Sequence, residues 1–153
     1  MRKTLLLPLL LVAPFGCGDD QPKKAPPAAQ AVAKQFLTSV KDKSAEGYCA
    51  TFLPSTRYGT VMGHEQDLCL QLAQAWMGGG AGDEQVIDAG EIKLAGYYLK
   101  HLGDAQVEVL RRGRVIYHFD NGGKLVLEEE QGDPSGKTIA WKVDVDASGF
   151  TGP

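Results

Sequence analysis

The chain has 153 residues, with 16 Lys and Arg against 19 Asp and Glu, a formal charge of -3, and 43% hydrophobic residues. This length and composition suit one packed core rather than several. The mildly acidic balance gives no electrostatic ground for binding nucleic acid, nor for docking on anionic lipid through a polybasic face.

Met1-Arg2-Lys3 is a short basic start, and Leu5 to Val12 is an apolar run broken only by Pro8. Ala13-Pro14-Phe15-Gly16 then leads into Cys17. Basic, apolar and small segments in this order form a secretory signal over residues 1–16. The apolar run is shorter than the ~20 residues that span a bilayer. With Gly16 just before the Cys, the segment resembles a bacterial lipoprotein signal. The resemblance implies lipid on Cys17 and a protein held at the extracytoplasmic side of the bacterial cell envelope, its partner the membrane itself. The alternative is an ordinary cleaved signal that leaves Cys17 free or removes it. Residues 17–28 include Pro22, Pro26 and Pro27 and lack an apolar period, so they read as a semi-extended tether.

Residues 29–146 read as a single domain and 147–153 as a C-terminal tail. Val32, Phe36, Leu37 and Val40 share one face of a helix over Ala29–Lys41. Ser44 is placed to cap a second, short helix, with Tyr48, Cys49, Phe52 and Leu53 on one face and Pro54 as its stop. A loop over 55–62 follows. A third helix starts near Gly63 or His64, carries Leu68, Cys69, Leu72 and Trp76 as its stripe, and stops at Gly78–Gly82. From Glu84 the period shortens to two. Glu84–Ala89 reads as a short strand, and Glu91–Leu102 as a weaker strand with Gly96 as a bulge. Val107 and Val109, then Val115, Tyr117 and Phe119, continue the alternation. Asn121-Gly122 is the strongest hairpin signal. Leu125 and Leu127 lead to Glu128-Glu129-Glu130 as a solvated strand end. After the turn at 132–136, Ile139, Trp141, Val143 and Val145 alternate with Lys142 and Asp144 and are expected to face the helices. Helices followed by an antiparallel meander make the fold class α+β.

Cys49 and Cys69 are the even pair left in an oxidising compartment, and a disulfide is the default. The alternative is two buried reduced thiols. No spacing of Cys or His marks a metal site or a redox motif, and no cofactor is implied.

The helix Ala31-Val32-Ala33-Lys34-Gln35-Phe36-Leu37, the Tyr48-Cys49-Ala50-Thr51-Phe52-Leu53 segment and Asp67-Leu68-Cys69 resemble the nuclear transport factor 2-like superfamily in its small bacterial lipoprotein form. So do Gly103-Asp104-Ala105-Gln106-Val107 and the closing Trp141-Lys142-Val143-Asp144. The resemblance implies a cone, with a bent sheet wrapped on helices and a pocket at the wide end. Its members include isomerases, dehydratases, cyclases, transport adaptors and lipoproteins, so the fold does not settle function. Lys41-Asp42-Lys43-Ser44 stands where a Gly-Asp turn is common.

An isomerase-type site needs a carboxylate base and an oxyanion donor in an apolar pocket. Tyr117 with Asp88 or Asp120 is the pair to examine. Strand Tyr and Asp are more often packing and surface residues. His64, His101 and His118 stand apart from any nucleophile. The Gly78–Gly82 run lacks the Lys-Ser/Thr of a phosphate loop. No catalytic residue is assigned. The reading is a membrane-tethered, non-enzymatic module for a protein partner or a small apolar ligand, with no nucleic acid. The alternative is a small pocket enzyme of isomerase or dehydratase type.

Overall fold

The computed structural model describes residues 23–53, 66–78, 87–111, 113–132 and 138–150. The signal, Cys17, the first part of the tether, the loop at 55–62, His64 and the turn at 133–136 lie outside the described residues.

Helix α1 spans Pro27–Asp42, with proline at its first position, where the missing N–H costs nothing. The helix therefore takes Pro27 and Ala28 from the expected tether. Ala29, Ala33, Phe36, Leu37 and Val40 are fully buried on one face. Lys43 closes the helix in the left-handed conformation, φ 57° and ψ 43°. The Ser44 amide then reaches back to the Ser39 carbonyl at 2.8 Å. Glycine is the residue that most often closes a helix in this left-handed conformation; here a lysine does so.

Helix α2 is Ala45–Thr51. It stops before Phe52 and Leu53, which form strand β1 instead of extending the helix. The Thr51 hydroxyl turns back to the Gly47 carbonyl at 2.9 Å. Leu53 precedes Pro54, a position that disfavours helical backbone. Helix α3, Gln66–Met77, buries Cys69, Ala73, Trp76 and Met77. Its stripe is rotated from the expected one, and Leu72 is 39% exposed.

The largest correction concerns 89–101. The expected strand Glu91–Leu102 is helix α4, Ala89–His101. Glu91, Ala95, Tyr98 and Leu102 are the buried positions, at intervals of four, three and four. That is helical spacing; the apparent alternation came from partly buried neighbours such as Ile92, Leu94, Tyr97 and Leu99. Asp88 caps the helix by accepting from the Gly90 amide at 2.9 Å. Glu91 follows at the position of a capping box. Of the expected strand Glu84–Ala89, only Ile87 onward is described. There Ile87 is buried, Asp88 is the cap and Ala89 is already helical.

Strands β2 (Gln106–Leu110), β3 (Arg114–His118), β4 (Lys124–Gly132) and β5 (Thr138–Asp144) form an antiparallel meander. β1 adds to β5 in parallel, giving the order β1-β5-β4-β3-β2. The fold is α+β. Asn121-Gly122 lies in the β3–β4 connection, and Gly122 takes φ +81°, which glycine adopts without strain. β4 runs through Glu128–Glu130, so these are interior strand positions rather than a strand end.

Register places Val115, Leu127 and Val143 in one row and Tyr117 and Leu125 in the next, all buried. Trp141, Val143 and Val145 join this core face, as expected from their alternation. The Ile139 side chain lies outside the described residues. α1 packs on α2, α4, β4 and β5. The packed domain also extends past residue 146. Phe150, assigned to a tail from the sequence, is 3% exposed and meets Phe36 edge-on at 5.4 Å.

Candidate functional site

Cys49 and Cys69 are disulfide-bonded, with Cα atoms 5.9 Å apart. The bond staples α2 to α3 beside the Tyr48–Trp76 ring contact at 5.4 Å. It is a structural brace on one side of the core.

The chemistry-bearing side chains gather elsewhere, where the C-terminal turn of α4 meets the start of β2 and the end of β3. His101, Asp104, Gln106, His118, Phe119 and Asp120 line a hollow of about 240 Å³. The β3–β4 hairpin brings Asp120 against α4, and the Tyr97 hydroxyl donates to its carboxylate. The Tyr97 ring also lies 4.5 Å from that of His101. On the next positions inward, Tyr98 and Phe119 stack at 3.9 Å in the core. The hydrogen bond from Tyr97, assisted by backbone amides and by His101, holds the Asp120 carboxyl below its usual range. The same bond raises Tyr97. At neutral pH the pair is an ionised acceptor and a protonated donor, and Asp120 is exposed to solvent.

His118 points to the outer face and meets Glu108 at 3.0 Å. His101 lines the hollow, which His118 also borders although its ring is turned to Glu108. Tyr117 is not in this site. Its ring is buried under the helices, and its hydroxyl has no hydrogen-bond partner among the described residues. Burial pushes its pKa up to about 12. Asp88 caps α4 and is not brought to Tyr117. The Tyr–carboxylate pair that forms is Tyr97 with Asp120; sequence reasoning named Asp120 but missed Tyr97, which it placed on a strand. A helical reading of 89–101 would have put Tyr97 and His101 four residues apart on one face.

On the outer face Arg114 lies 3.5 Å from Glu128 and 3.9 Å from Asp144. Among the described residues no group of three or more His, Cys, Asp or Glu is arranged to hold a metal ion. No helix among them is long and apolar enough to cross a membrane. Comparisons with family models, curated proteins and solved structures find no match to this chain.

Proposed function

We propose that the protein is a lipid-tethered module of the bacterial cell envelope, built on a nuclear transport factor 2-like cone, that binds a partner without catalysing a reaction on it. The observation that carries this reading is geometric: the Tyr97–Asp120 hydrogen bond lies exposed at an open rim, and not enclosed in an apolar pocket. Proton abstraction is favoured by a carboxylate raised towards neutral pH in an apolar, water-excluded setting. Asp120 is shifted the opposite way and faces water. A fixed anion held by a neutral hydroxyl is a recognition element, suited to a donor group on a partner. The core where an apolar ligand would sit in such a cone is occupied by Phe36, Tyr48, Trp76, Tyr117 and Phe150. This favours a protein partner at the rim over a small apolar ligand. Helices packed on one face of an antiparallel meander support the cone, and the signal layout ending at Cys17 supports the tether.

Native mass spectrometry of envelope-purified protein tests the reading. The expected species begins at Cys17, carries an acylated glyceryl group and holds the Cys49–Cys69 bond. Two or more acyl chains suffice for stable anchoring. Cys17→Ser should leave precursor or release soluble protein; a variant processed and membrane-bound like the parent removes the tether. Turnover in a substrate screen, abolished by Asp120→Asn at unchanged melting temperature, would replace the module by the isomerase or dehydratase alternative.

A further inference from the structure

β2 is an edge of the sheet, with β3 as its one strand neighbour among the described residues. The opposite edge, β1, is only the dipeptide Phe52–Leu53. An edge strand leaves alternate backbone N–H and C=O groups unpaired, and proteins blunt such edges with charged side chains, Lys above all, or with Pro, bulges or very short strands. Gln106-Val107-Glu108-Val109-Leu110 has neither Lys nor Pro, its one charged residue, Glu108, is engaged by His118 at 3.0 Å, its register with β3 runs without a bulge, and at five residues it is longer than β1. Val107 and Val109 turn towards the core but are only partly buried, and Leu110 is 40% exposed. The strand thus presents backbone groups and apolar side chains to a further strand.

Charge selects the occupant. Asp104 precedes β2 and Arg111 follows it, and both are exposed. In a parallel pairing of two copies, Asp104 would oppose Asp104 and Arg111 would oppose Arg111. In an antiparallel pairing centred on Glu108, the acidic end of each strand lies over the basic end of the other. The same register sets Val107 against Val109 in both directions and Gln106 against Leu110. The two Glu108 carboxylates would meet at the axis. Each, however, is hydrogen-bonded at 3.0 Å to His118 on β3, which draws it away from the open edge.

From this self-complementary strand we infer that the protein docks on a second copy of itself by antiparallel pairing of β2 with β2, forming one continuous sheet about a two-fold axis. The strand is short, so the interface falls in the small, transient class. The inference does not depend on lipid at Cys17, nor on the role given to Tyr97 and Asp120.

Oxidative cross-linking of the full chain, in the cells that make it, tests both the pairing and its register. Directly opposed strand residues have Cβ atoms about 4.5–5.5 Å apart, close to the reach of a disulfide. Glu108 is half exposed, so Glu108→Cys leaves the core untouched. This variant should give a disulfide-linked species of twice the chain mass, well above the unsubstituted chain. Gln106→Cys and Leu110→Cys should each fail alone and succeed when the two chains are co-expressed. Asp104→Arg and Arg111→Asp should each lower the Glu108→Cys yield several-fold, and the two together should restore it. Background-level linking at Glu108→Cys overturns the dimer, as does equal linking at all three positions, the mark of random collision. A linked species of unequal mass would mean that a foreign extended segment occupies the edge, and overturns self-pairing. Failure of the double exchange to restore the yield overturns the register.

Discussion

Two adjacent residues of α4 meet two adjacent residues after β3, and the two contacts differ in kind. Tyr98 stacks on Phe119 in the core, with both rings nearly excluded from water. One residue away on each element, Tyr97 hydrogen-bonds Asp120 at the rim of an open hollow. The inner contact removes apolar surface from water and gains dispersion contacts. The outer one exchanges hydrogen bonds with water and contributes little to folding, but it fixes the ionisation of two groups. Stability and chemistry are thus separated by a single residue step on the same elements.

The inner contact should break most visibly. Phe119→Ala is expected to cost about 3–5 kcal/mol, the range for truncating a buried aromatic side chain. Urea unfolding with an unchanged m-value would measure it, and a loss under about 1 kcal/mol would mean that the ring contributes far less than its burial implies. Replacing Cys49 and Cys69 together by Ser should cost about 3 kcal/mol, since the bond closes a loop with a sequence separation of 20. A melting temperature equal to the parent's would show that core packing alone holds α3 on α2.

Gly47 gives a smaller test of close packing. A Cβ there would lie 2.1 Å from the Ser39 Oγ and 3.1 Å from its Cβ, so Gly47→Ala turns that hydroxyl off the Gln35 carbonyl, crowds the α1–α2 contact and should cost about 1–3 kcal/mol. Ser39→Ala removes that oxygen and should recover much of the loss in the double variant. A strictly additive double variant would locate the strain elsewhere.

Tyr117→Phe should change stability by less than about 1 kcal/mol, because it removes a buried hydroxyl that has no partner among the described residues. Its pH effect has a definite sign. Tyr117 is raised from 10.0 to about 12 by burial, so its contribution is complete below about pH 10 and is lost as pH rises towards 12. Ultraviolet titration of the folded protein should lose its latest tyrosine step in the variant.

At the rim, Tyr97→Phe should leave the melting temperature unchanged and move the Asp120 titration upward by NMR. Asp120 is lowered in the folded state, so its contribution is present above its unfolded value and disappears as pH falls through the folded one. Tyr97 is raised, so its contribution disappears at the alkaline end. An unchanged Asp120 titration in Tyr97→Phe would show that the pair does not persist in solution.

Where local pattern and packing agree, the sequence was readable. The apolar face of α1, the alternation of Trp141, Val143 and Val145, the α+β class and the Asn121-Gly122 connection all carry their own period or turn chemistry. So did the choice of Cys49 and Cys69 as partners, since an even pair allows one pairing. Tertiary structure decided the rest. Tyr97 and Tyr98 favour a strand by composition, yet burial of Glu91, Ala95, Tyr98 and Leu102 made 89–101 a helix, and the acidic Glu91 concealed that stripe. Phe52 and Leu53 became a strand because β5 offered an edge to pair with. Phe150 looked like tail because a lone aromatic after a glycine has no period; it is buried because Phe36 and Tyr98 lie beside it. The union of Tyr97 with Asp120 needed both the helix and the hairpin, and no spacing along the chain records a contact across 23 residues. Local sequence fixes periods and turns, whereas such long-range contacts depend on which faces the whole chain can bury together.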